Sequence, residues 1–260
     1  MPDAVSRAWR AAGAGIGFAC FGLGGLVLGM VAFPLINTLV RQPGRRAQVA
    51  KWVIRQAFRS FIGLLRGLGV FTYEVQGEDR LPAGGALILA NHPSLLDVVF
   101  LMASVDRADC IVKADLARNP FTRGPVRAAG YVFNDAGAAL IDDCINSVRA
   151  GNNLIIFPEG TRTAASGAMR LQRGAAHVAL QGAIDILPVR IRCVVPFLQK
   201  GDKWYRPPLH RPHFEIVFGD TIRTADFGAA GDGQPLAARR LTEHLTNYFL
   251  GNIACGTHGT

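Results

Sequence analysis

Thirty consecutive uncharged residues, between Arg10 and Arg41, constrain this chain of 260 residues more than any other feature. The stretch AAGAGIGFACFGLGGLVLGMVAFPLINTLV exceeds the about 20 apolar residues that cross a bilayer. A cleaved signal peptide has a shorter apolar region, about 7–15 residues, so the segment reads as a retained anchor that spans or inserts deeply. Its seven glycines would weaken a helix in water but are tolerated in membranes. A buried helical hairpin, or a helix lying in the interface, is the competing reading. Arg41, Arg45, Arg46 and Lys51 follow the stretch, against Arg7 and Arg10 before it. The positive-inside tendency then puts the remainder of the chain in the cytoplasm.

The charge is distributed to match. Residues 1–70 carry nine Lys/Arg and one acid, Asp3, while the rest carries 19 basic and 18 acidic groups. The net charge of +9 therefore belongs almost wholly to the N-terminal quarter. A nucleic-acid partner is not expected, because such proteins spread basic charge over the folded domain. Charge beside an apolar segment points to anionic lipid headgroups. Residues 49–69 add a second candidate membrane element. At 100° per residue Lys51, Arg55, Arg59 and Arg66 fall within about 80° of one another, a narrow basic stripe on a wide apolar helix. The alternative is a core helix with one solvated face. The five cysteines are widely spaced and form no CxxC, which fits a reducing compartment and no zinc site.

From residue 71 the pattern changes to alternating short strands and helices. Strands are expected at 70–75, 86–90, 110–112, 131–133, 153–157, 186–193 and 213–218. Helices are expected at 95–103, 137–150, 174–182 and 236–250. The chain thus reads as α/β: a mixed, largely parallel sheet flanked by helices, with N-terminal membrane-anchoring helices. Residues 1–70 form the anchoring segment and residues 71–260 the catalytic domain. A surface loop at 228–234 and a loose tail after Gly251 complete the reading.

Two segments bear chemistry. Asn91-His92-Pro93-Ser94-Leu95-Leu96-Asp97 follows a strand, at the edge where open α/β sheets place ligands. Asp97 falls in the first turn of the next helix, where its carboxylate can fix the His92 tautomer and leave the other ring nitrogen as a base. Ser94 invites a Ser-His-Asp reading, but the chain lacks a G-x-S-x-G elbow. A histidine satisfied by a local turn carboxylate is the bland alternative. The second segment, Phe157-Pro158-Glu159-Gly160-Thr161-Arg162, also follows an apolar strand. Its glycine permits close backbone approach, and Arg162 has the fork geometry for phosphate or carboxylate. The bland alternative is a surface ion pair between Glu159 and Arg162.

Together the segments resemble the first and third motifs of the glycerolipid acyltransferases, the 1-acylglycerol-3-phosphate acyltransferase family: N-H-x4-D, then F-P-E-G-T-R. The spacing of 67 residues between His92 and Glu159 agrees. So do Ile186-Leu187-Pro188-Val189, Lys113 in VKADL, and Arg173-Gly174-Ala175. The resemblance covers roughly residues 70–220. One motif departs. Gly130 and Phe133 match the second motif, but Ala136 stands where that family carries an arginine for the acceptor's phosphate.

The resemblance implies acyl transfer from a thioester, acyl-CoA or acyl carrier protein, to a lysolipid hydroxyl, with no cofactor and no metal. His92 is the expected base and Asp97 its orienting acid. Lys113, Glu159, Gly160, Thr161, Arg162 and Arg173 are the expected acceptor-binding residues. Membrane lipids are expected partners, and Arg118, Arg123 and Arg127 offer either a docking patch for the acidic carrier or a solvated face. The substitution at Ala136 leaves other acceptors open, a lyso-ornithine or specialised polyene-type lipid. A thioesterase shares the same base, and a non-catalytic lipid-binding protein would need neither His92 nor Asp97.

Overall fold

The computed structural model describes residues 2–119, 121–134, 137–164, 169–228 and 233–251. In chain order the elements are α1 (Pro2–Val27), a π-helical turn (Leu28–Ala32), α2 (Phe33–Leu39), α3 (Pro43–Gly67), β1 (Thr72–Gln76), β2 (Leu87–Ala90), α4 (Asp97–Ser104) and β3 (Ala108–Val112). Next come α5 (Arg123–Ala129), β4 (Val132–Phe133), α6 (Leu140–Arg149), β5 (Asn153–Ile156), α7 (Gly174–Gly182), β6 (Ile186–Cys193), β7 (His213–Phe218) and α8 (Gln234–Gly251). Each expected strand and helix of the α/β part is present, with ends shifted by up to three residues. The tail after Gly251, residues 229–232 of the expected surface loop, and Ala136 lie outside the described residues.

The seven strands form one sheet in the order β1-β7-β6-β2-β5-β3-β4. All neighbours are parallel except β6 and β7. The expected mixed, largely parallel sheet flanked by helices is therefore the observed architecture. Its centre is the run Leu87-Ile88-Leu89-Ala90, every residue fully buried. Such a run, rather than an alternating one, is what a strand covered on both faces requires. Leu87 and Leu89 point into an interior shared with Cys144, Val148, Ala179 and Leu245 from α6, α7 and α8. Ile88 and Ala90 point to the opposite face, into an interior shared with Ile54, Leu65, Phe100 and Phe214.

The N-terminal helices belong to that second interior. Ala14, Phe33, Ala50, Ile54, Phe61, Ile62 and Leu65 share one apolar cluster with Phe71 and Phe100. The π turn has a local cause. Pro34 cannot continue the i→i−4 pattern, and the amide of Phe33 instead reaches back five residues to the Leu28 carbonyl. The glycines of α1 have a further use besides the one expected of membrane helices. A Cβ at Gly25 would collide with the Phe121 carbonyl, and one at Gly17 with Leu65. These glycines let α1 lie directly on its own domain.

The structure corrects the reading of α3 as an interfacial helix with a lipid-facing basic stripe. Lys51 is buried, and its Nζ donates to Asp109 Oδ2 at 3.2 Å. Arg55 donates to the carbonyls of Ala103 and Ser104 and pairs with Asp106. Half the stripe thus turns inward, onto carbonyls and carboxylates at the α4–β3 connection. Long basic side chains turn to where anions are, and periodicity alone carries no information about which side that is.

Asp109 also accepts from Ser147 Oγ at 2.6 Å and from the Cys110 amide at 2.9 Å. Lys51→Ala would strand this buried carboxylate, and loss of one partner of such a pair costs about 3–5 kcal/mol. Denaturant unfolding should show that loss. Arg59→Ala, at an exposed position of the same helix, should stay within about 0.5 kcal/mol of the parent.

Candidate active site

The ends of β2 and β5, parallel neighbours, bring the two motifs side by side. Beyond the last residue of β2, Asn91 replaces backbone pairing with its side chain. Its Nδ2 donates to the Ile191 carbonyl and its Oδ1 accepts from the Ile191 amide, each at 2.8 Å. This fixes where the chain leaves the sheet, and so where His92 begins.

His92 is held from both sides by the second motif. Its amide donates to Glu159 Oε1 at 2.9 Å, and its carbonyl accepts from the Thr163 amide at 2.8 Å. Thr163 Oγ1 donates to the same Glu159 oxygen at 2.8 Å. The Phe157 ring stacks on the imidazole with centroids 4.3 Å apart. His92 Nδ1 lies 2.9 Å from Asp97 Oδ2, which also accepts from the Ser94 amide at 2.6 Å. With Nδ1 engaged, Nε2 is the nitrogen left for a substrate. Asp97 is fully buried, and burial pushes its carboxyl up to about 6, against the lowering effect of His92 and the Ser94 amide.

Ser94 has a structural place. It is fully buried, and its hydroxyl donates to the Phe197 carbonyl at 2.8 Å. The Leu95 amide donates to the Leu198 carbonyl at 3.1 Å. The chain just after β6 therefore braces the first motif.

The expected acceptor-binding residues divide. Glu159 is buried, and its described contacts orient His92 rather than a ligand. Gly160 sits at φ +68°, the left-handed conformation for which glycine is suited, and Thr161 beside it is exposed. Arg162 is not paired with Glu159. Its Nη1 donates to the carbonyls of Leu198 and Gln199, each at 2.9 Å, leaving Nε and Nη2 toward other partners. Lys113 is exposed just beyond β3, the neighbour of β5, on the same edge of the sheet. Arg173 precedes α7 and lines a surface cleft with Arg170, Arg239 and Glu243. The Gln172 amide just before Arg173 donates to the Pro158 carbonyl at 2.7 Å, which ties this segment to the second motif.

Thr163 and the carbonyls of Phe197–Gln199 were not singled out in the sequence. The position of Thr163, directly after Arg162, was the only available signal; backbone carbonyls have none. No metal was expected. On the edge strand β1 and its neighbour β7, Glu74, His213 and Glu215 place ligand atoms within 4.8 Å of one another, with Arg192 already supplying a cation 3.6 Å from Glu215.

His92, oriented by the buried Asp97 carboxylate at the carboxyl edge of a parallel sheet and beside a glycine turn that carries Arg162, is placed to take a proton from a polar group. The family model described as Acyltransferase matches residues 72–192, and over this segment the chain is similar to the glycerolipid acyltransferases. It is 30% identical over 157 residues to a putative 1-acyl-sn-glycerol-3-phosphate acyltransferase of Caenorhabditis elegans, covering 57% of this chain and 55% of that one. It is 30% identical over 173 residues to the 1-acyl-sn-glycerol-3-phosphate acyltransferase of Saccharomyces cerevisiae, covering 62% and 54%. The chain thus spans about half the length of these curated relatives. The crystal structure of the 1-acyl-sn-glycerophosphate acyltransferase of Thermotoga maritima shares the fold, with a TM-score of 0.75 at 15% identity, over 98% of this chain and 100% of that one.

The raised Asp97 carboxyl carries a stability signature. Between its ordinary 3.8 and about 6, the folded chain retains a proton that the unfolded chain has lost. Stability from this group is therefore full below 3.8, falls as pH rises through that window, and is level above about 6. Thermal unfolding of Asp97→Asn across the same window should lack that decline.

Proposed function

We propose that the chain moves a fatty acyl group from an acyl thioester to a lysolipid hydroxyl in phospholipid biosynthesis, with 1-acylglycerol-3-phosphate as the acceptor. The observation that carries this reading is the His92–Asp97 pair, with Nδ1 engaged at 2.9 Å and Nε2 left for substrate. Nε2 takes the proton of the acceptor hydroxyl as its oxygen attacks the thioester carbonyl. The carbon–sulfur bond breaks, the proton passes to the departing thiolate, and the new ester leaves. Asp97 holds the ring and stabilises the imidazolium. The free edge of Arg162, with Lys113, receives the acceptor's phosphate, and the relatives' names favour that acceptor. Acyl-CoA or acyl carrier protein serves as donor.

The segment Val5–Leu39 is the described helix long and apolar enough to cross a membrane. Its contacts favour a different placement. Gly15 faces Trp204, Gly25 faces Phe121 and Gly29 faces Gly124, points spread over about 20 Å of helix. A helix crossing the bilayer would carry these loops, with their exposed Lys203, Arg206 and Arg118, into hydrocarbon. On this reading the helix lies in the plane of one leaflet, presenting Val5, Trp9, Ile16, Leu23, Val27 and Met30, with the catalytic domain on the cytoplasmic face.

Mass spectrometry of lipids formed from an acyl thioester and a mixture of lyso-acceptors tests the reading. Acylated glycerol phosphate is the expected product. Acylated lyso-ornithine lipid would replace the acceptor, and free fatty acid alone would make the chain a thioesterase. His92→Ala should lower transfer about 10²–10⁴-fold without loss of fold. Transfer by the parent should also fall below about pH 6, as Asp97 takes a proton and the dyad loses its anion.

A further inference from the structure

Nineteen residues separate β6 from β7, although the two strands are antiparallel neighbours. A hairpin of this kind usually needs about 2–5 residues, and structureless loops longer than about 12–15 generally have a function. The inner part of this loop has been accounted for: Phe197 and Leu198 are buried and brace the first motif. The outer part, residues 200–211, has not.

That outer part is basic and aromatic. Lys200, Lys203, Arg206 and Arg211 stand against one acid, Asp202, whose carboxylate is taken by the Gln199 amide. This local charge of +3 exceeds the +1 of residues 71–260 as a whole. Residues 200–206 are all exposed, with Trp204 at 45%, Tyr205 at 49% and, further on, Leu209 at 57%. Lys203 and Arg206 flank the Tyr205 ring at 5.8 and 5.9 Å.

The exposed aromatics are nonetheless firmly placed. Arg7 donates to the Pro207 carbonyl and Arg10 to those of Pro208 and Leu209. Trp204 packs edge-on against Phe18 and lies over Gly15. On the helix surface Gly15 adjoins Ala12 and Ala19, both on the exposed side of α1. The loop is thus continuous with the apolar face of the N-terminal helix. An amphipathic Trp-Tyr pair flanked by cations is the chemistry of a headgroup-level anchor.

We propose that residues 200–211 are a docking loop for an anionic phospholipid surface, in which Trp204, Tyr205 and Leu209 enter the headgroup layer and Lys200, Lys203 and Arg206 bind lipid phosphates. The proposal rests on the in-plane placement of α1 given above. Because the same loop begins at the carbonyls held by Arg162 and Leu95, docking also fixes the wall of the catalytic segment.

The test uses the full chain. Trp9→Phe with Trp52→Phe leaves Trp204 as the single tryptophan. Its emission should shift to the blue, and brominated lipid should quench it, on vesicles containing phosphatidylglycerol. K203Q/R206Q should weaken binding to those vesicles roughly 25-fold, about fivefold for each cation lost, and leave binding to phosphatidylcholine vesicles unchanged. Sedimentation of the chain with vesicles reports the α1 anchor separately, and transfer to a short-chain acceptor in detergent reports the enzyme. Unquenched, water-exposed Trp204 on vesicles that sediment with the chain would overturn the proposal. So would unchanged phosphatidylglycerol binding by K203Q/R206Q, or a defect confined to carrier-protein thioesters, which would make the loop a carrier dock. Quenching on vesicles without transfer in detergent would remove the assigned activity and leave the docking loop standing.

Discussion

The Glu159 carboxylate holds this site together. One of its oxygens accepts from the His92 amide and from the Thr163 hydroxyl, tying the end of β2 to the end of β5. Without that bridge two adjacent strands would still pair, but the His92 main chain would keep only the Thr163 amide on its carbonyl to tie it to the second motif. A carboxylate placed 67 residues away thus sets the backbone from which His92 projects, while Asp97, only five residues away, sets the ring. The two acids act on one histidine at different levels, main chain and side chain. A buried carboxylate receiving two hydrogen bonds is also costly to move, which makes the arrangement stiff.

The parts of this fold and site written in local pattern were legible. The apolar runs Leu87–Ala90 in β2 and Leu154–Ile156 in β5 announced burial on both faces, and α7, β6 and β7 have their expected bounds. The histidine, its acid and the glycine turn were visible as short segments because each acts within a few residues. What escaped depends on partners distant in sequence. In the sequence Arg162 reads as a grip for an anion, yet its Nη1 is committed to two carbonyls 36 and 37 residues on. Ser94, tempting as a nucleophile, is a brace for the same distant loop.

The N-terminal helices show the same limit from the other side. A charge-free run and a basic stripe were read by composition as lipid contacts. Lys51 and Arg55 found protein anions and carbonyls instead, and Gly17 and Gly25 turned out to be sites of close approach to the chain's own residues. Hydropathy identifies what avoids water. It does not distinguish lipid from protein as the refuge, and one side of α1 has found protein.

The interior common to these helices and the sheet has a consequence for the life of the molecule. Ile54, Phe61, Ile62 and Leu65 fill the same space as Phe71 and Phe214. Clipping off the greasy end would open the interior of the sheet to water, so no working fragment could be shed.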